Sequence, residues 1–366
     1  MKAFRSPGFL RAAAFGYIPQ EAFSSAEFVE ALAQDYQSLD LRSYEDAEQL
    51  FGELRPTSLF WGDSRCQITA WEHILRTLRM TDTIRYETMH KGSPYYFLGE
   101  ASYLIQDFES ALFYMDCALA EDYRLNIEND RWRQLPAGRF VRLDEQAPQS
   151  AHDLLLRTRS LLESWGNRVA NAGGVGLSIE DYRTKLVNHA VKREPSLRSA
   201  VTTYLSFLLE TQARQTQILL APPELFGSGE PFSLHLLKGC VLFETLLKHS
   251  NRGQRVVGLE PGATINTLLQ DQSIYSALGF RIRPQGFGAR TLPDLLVRIK
   301  RERADPFSLR SVKTAWNLRN LTGHSLAWPR RPTIQEYEEL LLLVFGCLNL
   351  VLETLYTECL LTDGTR

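Results

Sequence analysis

The 366-residue sequence has no cysteine pair at CxxC spacing; its five cysteines (Cys66, Cys117, Cys240, Cys347, Cys359) are odd in number and scattered. That argues against a disulfide framework and a zinc knuckle, and for a reducing compartment. Long apolar runs are also missing. The longest, Leu340 to Leu348, falls far short of the roughly 20 residues a bilayer span needs, so no membrane partner is expected. The first residues, "MKAFRSPGFLRAAAFGYIPQ", begin like a signal peptide, but Arg11 interrupts the apolar region and no clean cleavage site follows. A cytoplasmic protein is the expectation. Strand-like segments are scarce: only "RVVGL" (255–259) and "FRIRP" (280–284) suggest a short hairpin. Asp, Glu and His do not cluster at metal-ligand spacing, so neither metal nor cofactor is expected.

What is present is helix. The composition, 44% hydrophobic and 23% charged, is ordinary for a globular chain, and the length allows two or three domains. "SSAEFVEALAQDY", "CQITAWEHILRTLR" and "IEDYRTKLVNHAVK" carry apolar residues at three-four spacing with Ser or Asp at hand as N-caps. An all-α fold follows. The net charge of −2 hides an asymmetry, because Arg281 to Arg331 contains twelve Lys and Arg, Lys300 and Arg301 among them, against three acids. Such a local excess suits a polyanion partner, although a solvated helix face would look the same.

The segment "YYFLGEASYLIQDFESALFYMDCALAED", Tyr95 to Asp122, resembles a tetratricopeptide (TPR) unit. Leu98-Gly99, Asp107-Phe108, Ala111 and Ala118 fall at that repeat's small and aromatic positions, where paired helices approach closely. Ser102 replaces the usual tyrosine, and no proline follows Asp122. The resemblance covers one unit, about residues 89–122, and stable stacks need about three; "DLRSYEDAEQLFGEL" and "CQITAWEHILRTLR" are candidate degenerate units upstream. Whether the region holds a protein or ligand partner, or only packs, stays open. This gives a helical region over 1–130, a middle helical segment or linker over 131–225, and a C-terminal domain over 226–366. Within the middle, "NAGGVGLS" (171–178) precedes a helix as a phosphate loop would. No strand comes before it and no Walker lysine after it, so it reads as a flexible connection.

The C-terminal part centres on "RNLTGH", Arg319 to His324. An arginine and a histidine at this distance can act on a phosphodiester, but "RYETMH" (85–90) has the same spacing and "RTKLVNH" (183–189) nearly so. The surroundings distinguish them. Leu309, Val312 and Trp316 form an inward stripe on a helix opened by Asp305-Pro306, and Arg319 continues that stripe. A charge so placed needs a partner or a bound anion. Glu244, beside the stripe Leu236, Cys240, Phe243 and Leu247, is the internal candidate and a phosphate the functional one. Thr322-Gly323 is expected to end the helix and present His324 on a turn. The loop "WPRRP" then offers Trp328, Arg330 and Arg331 to nucleic acid. Thr333 and Glu336 form a capping box that starts a last helix. That helix is apolar on nearly every face, so it belongs in a core or a subunit interface.

A helical domain with Arg-Asn-x3-His at the end of its penultimate helix resembles the HEPN superfamily (higher eukaryotes and prokaryotes nucleotide-binding), over about Pro231 to Tyr356. The resemblance implies a metal-independent endoribonuclease that acts as a homodimer through the C-terminal domain, in bacterial stress or antiviral defence. It implies Arg319, Asn320 and His324 as catalytic residues and Glu244 as support. Arg330, Arg331, Trp328, Lys300 and Arg301 are the expected RNA contacts. Some members of the superfamily are non-catalytic nucleotide- or protein-binding scaffolds, and others are toxin halves of toxin–antitoxin pairs. The purely structural alternative is an Arg319–Glu244 salt bridge with His324 capping a turn.

Overall fold

The structure, a computed structural model, describes residues 64–81, 83–126, 131–144, 149–192, 197–220, 229–282, 289, 291–324, 328 and 331–356. "DLRSYEDAEQLFGEL" and "SSAEFVEALAQDY" lie outside these residues, as does Arg330. All regular elements among the described residues are helical, and none of the helices is long and apolar enough to cross a membrane. The chain divides into two compact units, with the boundary in sequence between Leu155 and Leu156.

In the first unit, helices α1 (Ser64–Thr81), α2 (Gly92–Leu104) and α3 (Phe108–Asn126) pack in sequence. The α2–α3 hairpin closes tightly because its contact positions are small. A Cβ on Gly99 would lie 3.0 Å from the Ala111 carbonyl oxygen, and Ala111 and Ala118 are fully buried. The turn between the two helices is a Schellman motif: the Asp107 amide donates to the Ser102 carbonyl and the Gln106 amide to that of Tyr103. This requires Gln106 to adopt φ 63°, a left-handed conformation better suited to glycine. Asp107 then accepts a bond from the Ser110 amide at the start of α3.

The second unit takes in helices from the middle of the chain as well as the C-terminal ones. It contains most of α4 (Gln149–Asn171), α5 (Arg198–Leu220), α6 (Glu230–His249), α7 (Asn251–Leu259), α8 (Leu292–Arg301), α9 (Phe307–His324) and α10 (Ile334–Leu355). The middle segment is therefore part of this unit from Leu156 on, because α5 lies against α6. Aromatic rings join the layers: Phe345 of α10 lies 4.8 Å from Trp165 of α4 and 4.9 Å from Phe207 of α5, centroid to centroid.

Three expectations change on contact with the fold. "RVVGL" is the end of helix α7, which Ser250 caps through the Gly253 amide, and no hairpin forms in the described residues. The glycine stretch is a packed corner. Gly173 takes φ +86°, Asn349 of α10 donates to the Val175 carbonyl at 3.0 Å, and a side chain on Gly174 would collide with the Phe307 ring. The turn after it begins with Ser178 and Asp181 in a reciprocal capping box: the Ser178 amide donates to the Asp181 carboxylate and the Asp181 amide to the Ser178 hydroxyl, so both amides are already answered. Finally, α10 is apolar all round because its own unit surrounds it, with α9, α6, α5 and Gln272–Leu278 packed on its faces. Its composition therefore calls for no second subunit.

Candidate functional site

Helix α9 carries the Arg-Asn-x3-His segment and packs between α6 and α10. The helix does not stop at Thr322-Gly323. The Thr322 hydroxyl donates back to the Leu318 carbonyl at 2.5 Å, one turn earlier, a bond made within a helix that continues to His324, the last residue of α9. His324 is thus held on the helix and not on a separate turn; its side chain lies outside what the structure describes. At 3.6 residues per turn, Asn320 and His324 share one face, while Arg319 lies above Gly323.

Arg319 is half-exposed, with 38% of its side chain open to solvent. Its Nε donates to Glu244 Oε2 at 3.0 Å, and Glu244 Oε1 receives Lys248 Nζ at 2.7 Å. The inward stripe that Arg319 extends is real for Val312 and Trp316, which are buried. The longer arginine reaches past that core to its edge, the usual behaviour of a charged head on an apolar stem. Burial by itself would raise the Glu244 carboxyl, but the Lys248 ammonium and the Arg319 guanidinium hold it below the usual carboxylate range. Among the described residues, Glu244 is the one partner of the guanidinium, engaged only through Nε. The two terminal amino groups, the bidentate end of the fork, make no hydrogen bond or ion pair with them.

The other expected RNA contacts do not gather here. Lys300 and Arg301 are exposed at the end of α8. That end adjoins the start of α9, where Lys313 binds Asp305 at 2.7 Å and Glu302 at 3.6 Å. Twelve residues of helix, about 18 Å of axis, separate Phe307 from Arg319. Within the basic stretch, Lys313 thus occupies two of the three acids. Trp328 is buried and fills the core in place of offering a stacking face, and Arg331 is half-buried.

The two comparison histidines serve packing. His90 Nε2 lies 3.1 Å from Asp122 in a buried pair at the foot of the α2–α3 hairpin. His189 meets the Tyr356 ring edge-on at 4.7 Å, and Arg183 lies within a π-helical segment, Tyr182–Val187, that ends just before it.

Two polar groups escape the sequence reading. Lys248 stands four residues after Glu244, a spacing that signals an ion pair on a helix. His235 has no such signal. It is fully buried, stacked on Phe207, and bonded at 2.8 Å to the Phe207 carbonyl and at 2.6 Å to the hydroxyl of Tyr337, 102 residues away. Among the described residues no group of three or more His, Cys, Asp and Glu is arranged to hold a metal ion. Cys240, behind Arg319, is buried and its thiol is pushed well up by burial. No protein-family model, curated protein or solved structure matches this chain.

Proposed function

We propose that the second unit is a HEPN-like, metal-independent endoribonuclease in which Arg319, Asn320 and His324 cleave RNA. One observation supports this above the rest. Arg319 is anchored at the protein edge through Nε alone, with the bidentate end of its guanidinium unengaged among the described residues. That is the posture a phosphate-binding arginine requires. In the reaction the ribose 2′-oxygen attacks its own phosphorus, its proton departs, and the bond from phosphorus to the 5′-oxygen breaks. The 5′-oxygen collects a proton, leaving a 2′,3′-cyclic phosphate and a 5′-hydroxyl. Arg319 stabilises charge on the phosphorane oxygens, His324 transfers protons near neutral pH, and Asn320, on the histidine's face of the helix, orients it or the ribose. One imidazole serves one of the two proton transfers at a time, so two copies with facing motifs would serve both.

A second reading draws on the same ion pair. Glu244 would tie α6 to α9 whether or not any substrate is bound, as a non-catalytic TPR–HEPN scaffold requires. The deciding assay is a labelled mixed-sequence RNA incubated with the full-length protein in EDTA. His324→Ala should cost about 10² to 10⁴ in rate, and Arg319→Ala about 10² to 10³. Arg255→Ala, at an exposed site on α7, should leave the rate unchanged. An all-DNA strand should resist, since it lacks the 2′-hydroxyl. Full activity in His324→Ala, or a strict need for magnesium, would leave the scaffold reading in place.

A further inference from the structure

The carboxylate of Glu244 binds two cations, one on each oxygen: Arg319 Nε on Oε2 and Lys248 Nζ on Oε1. Holding both to one carboxylate places the ammonium and the guanidinium side by side. Both remain accessible, with 36% of the Lys248 side chain and 38% of the Arg319 side chain exposed. Among the described residues neither has another ionic or hydrogen-bonding partner. The group carries two positive charges against one negative, so it retains a net charge of +1. It spans two helices, α6 and α9, at the edge of the unit.

We propose that Lys248 is a second phosphate-contacting residue, and that Glu244 positions it and Arg319 as the two arms of a cradle for one phosphodiester of single-stranded RNA. The proposal rests on the reading of Arg319 as a phosphate ligand. Each cation has a distinct part. Arg319 offers a planar fork that grips two oxygens of the phosphate, and Lys248 contributes a mobile point charge beside it. An unaided pair of like charges would repel; the shared carboxylate offsets that repulsion and holds both heads over the same spot. Glu244 is then a positioning residue, acting on the substrate only through its neighbours. A helix-surface Glu–Lys pair with no ligand would look similar in α6 alone. The arginine arriving from α9 on the second carboxylate oxygen makes it a two-helix site.

The test is equilibrium binding of a fluorescent, single-stranded 2′-O-methyl RNA, which cannot be cleaved, to the full-length protein across a salt series. Each lost phosphate contact on a single strand lowers the slope of log affinity against log salt by about 0.7. Because Arg319 remains on the same phosphodiester, Lys248→Met should reduce the slope by at most that amount and weaken binding several-fold at low salt, while Lys248→Arg restores both. A merely structural ion pair would instead shift the thermal midpoint and leave the salt slope alone. An unchanged slope in Lys248→Met overturns the proposal even where the wild type cleaves RNA. Wild-type protein that binds the probe with the expected Lys248 dependence, but cuts no RNA, overturns the nuclease reading and leaves the cradle standing. Wild-type protein that does not bind the probe overturns both.

Discussion

Acidification should weaken the second unit through one residue, His235. Its imidazole is enclosed by α5, α6 and α10. Nε2–H donates to the Phe207 carbonyl, and Nδ1 lies 2.6 Å from the Tyr337 hydroxyl, from which it accepts when the ring is neutral. The charged groups facing it are Glu210 and Arg214 from α5 and Lys238 from its own helix. Burial is the main cause that moves the His235 pKa down from 6.5 to about 4; Lys238 and Arg214 add to it, and Glu210 opposes them. A lowered folded-state value means that the unfolded chain binds the proton first. The stabilisation is therefore complete above about pH 6.5 and is lost as pH falls from there towards 4. With those two values, linkage predicts a loss of about 2 kcal/mol between pH 7.5 and pH 5. The assay is urea unfolding at both pH values, followed by tryptophan fluorescence, for wild type and His235→Gln. The carboxylates held low by their partners, such as Glu210 and Glu244, lose their contribution below their ordinary range near 4.5, so the window above pH 5 belongs to the histidine. His235→Gln should be less stable at pH 7.5 but lose about 2 kcal/mol less on acidification. Equal losses in both proteins would refute the buried neutral imidazole.

Other outcomes follow from the backbone and the core. Gln106→Gly, at φ 63°, should stabilise the first unit by roughly 0.5 to 1 kcal/mol, because relief of left-handed strain exceeds the added chain entropy; an unchanged thermal midpoint would contradict it. Gly346→Ala should destabilise the second unit by about 1 to 3 kcal/mol, because the new methyl would collide with the buried Phe307 ring and the Ser311 hydroxyl. If the variant is more stable, helix propensity outweighs that clash. Phe345→Ala should cost about 3 to 5 kcal/mol, measured by urea unfolding, since its ring joins Trp165, Tyr204 and Phe207.

Local patterning carries much of this structure. Three-four apolar spacing identifies helices at Ser64–Thr81, Glu230–His249 and Phe307–His324, and Thr333 and Glu336 mark the start of α10 through their capping box. Gly99, Ala111 and Ala118 foretell a close hairpin, because a residue's size limits how near two helices can come. The Glu244–Arg319 pair is legible for a related reason: Arg319 continues one apolar stripe and Glu244 lies beside another, and a charge so placed requires a partner.

What the linear pattern leaves undecided is set by local caps in some places and by partners distant in the chain in others. "RVVGL" has strand-like residues, but Ser250 caps the turn before it and the segment joins a helix. Thr322-Gly323 has the composition of a helix stop, yet both residues remain in α9, which runs on to His324. The glycine corner is packed because Asn349 and Phe307, more than 130 residues further on, close over it. An all-apolar α10 fits either a core or an interface by sequence, and the neighbouring helices place it in the core. His235 and Lys248 show the same division: the amino-acid sequence supplies their chemistry, but only the tertiary structure excludes water from the first and holds the second beside Arg319.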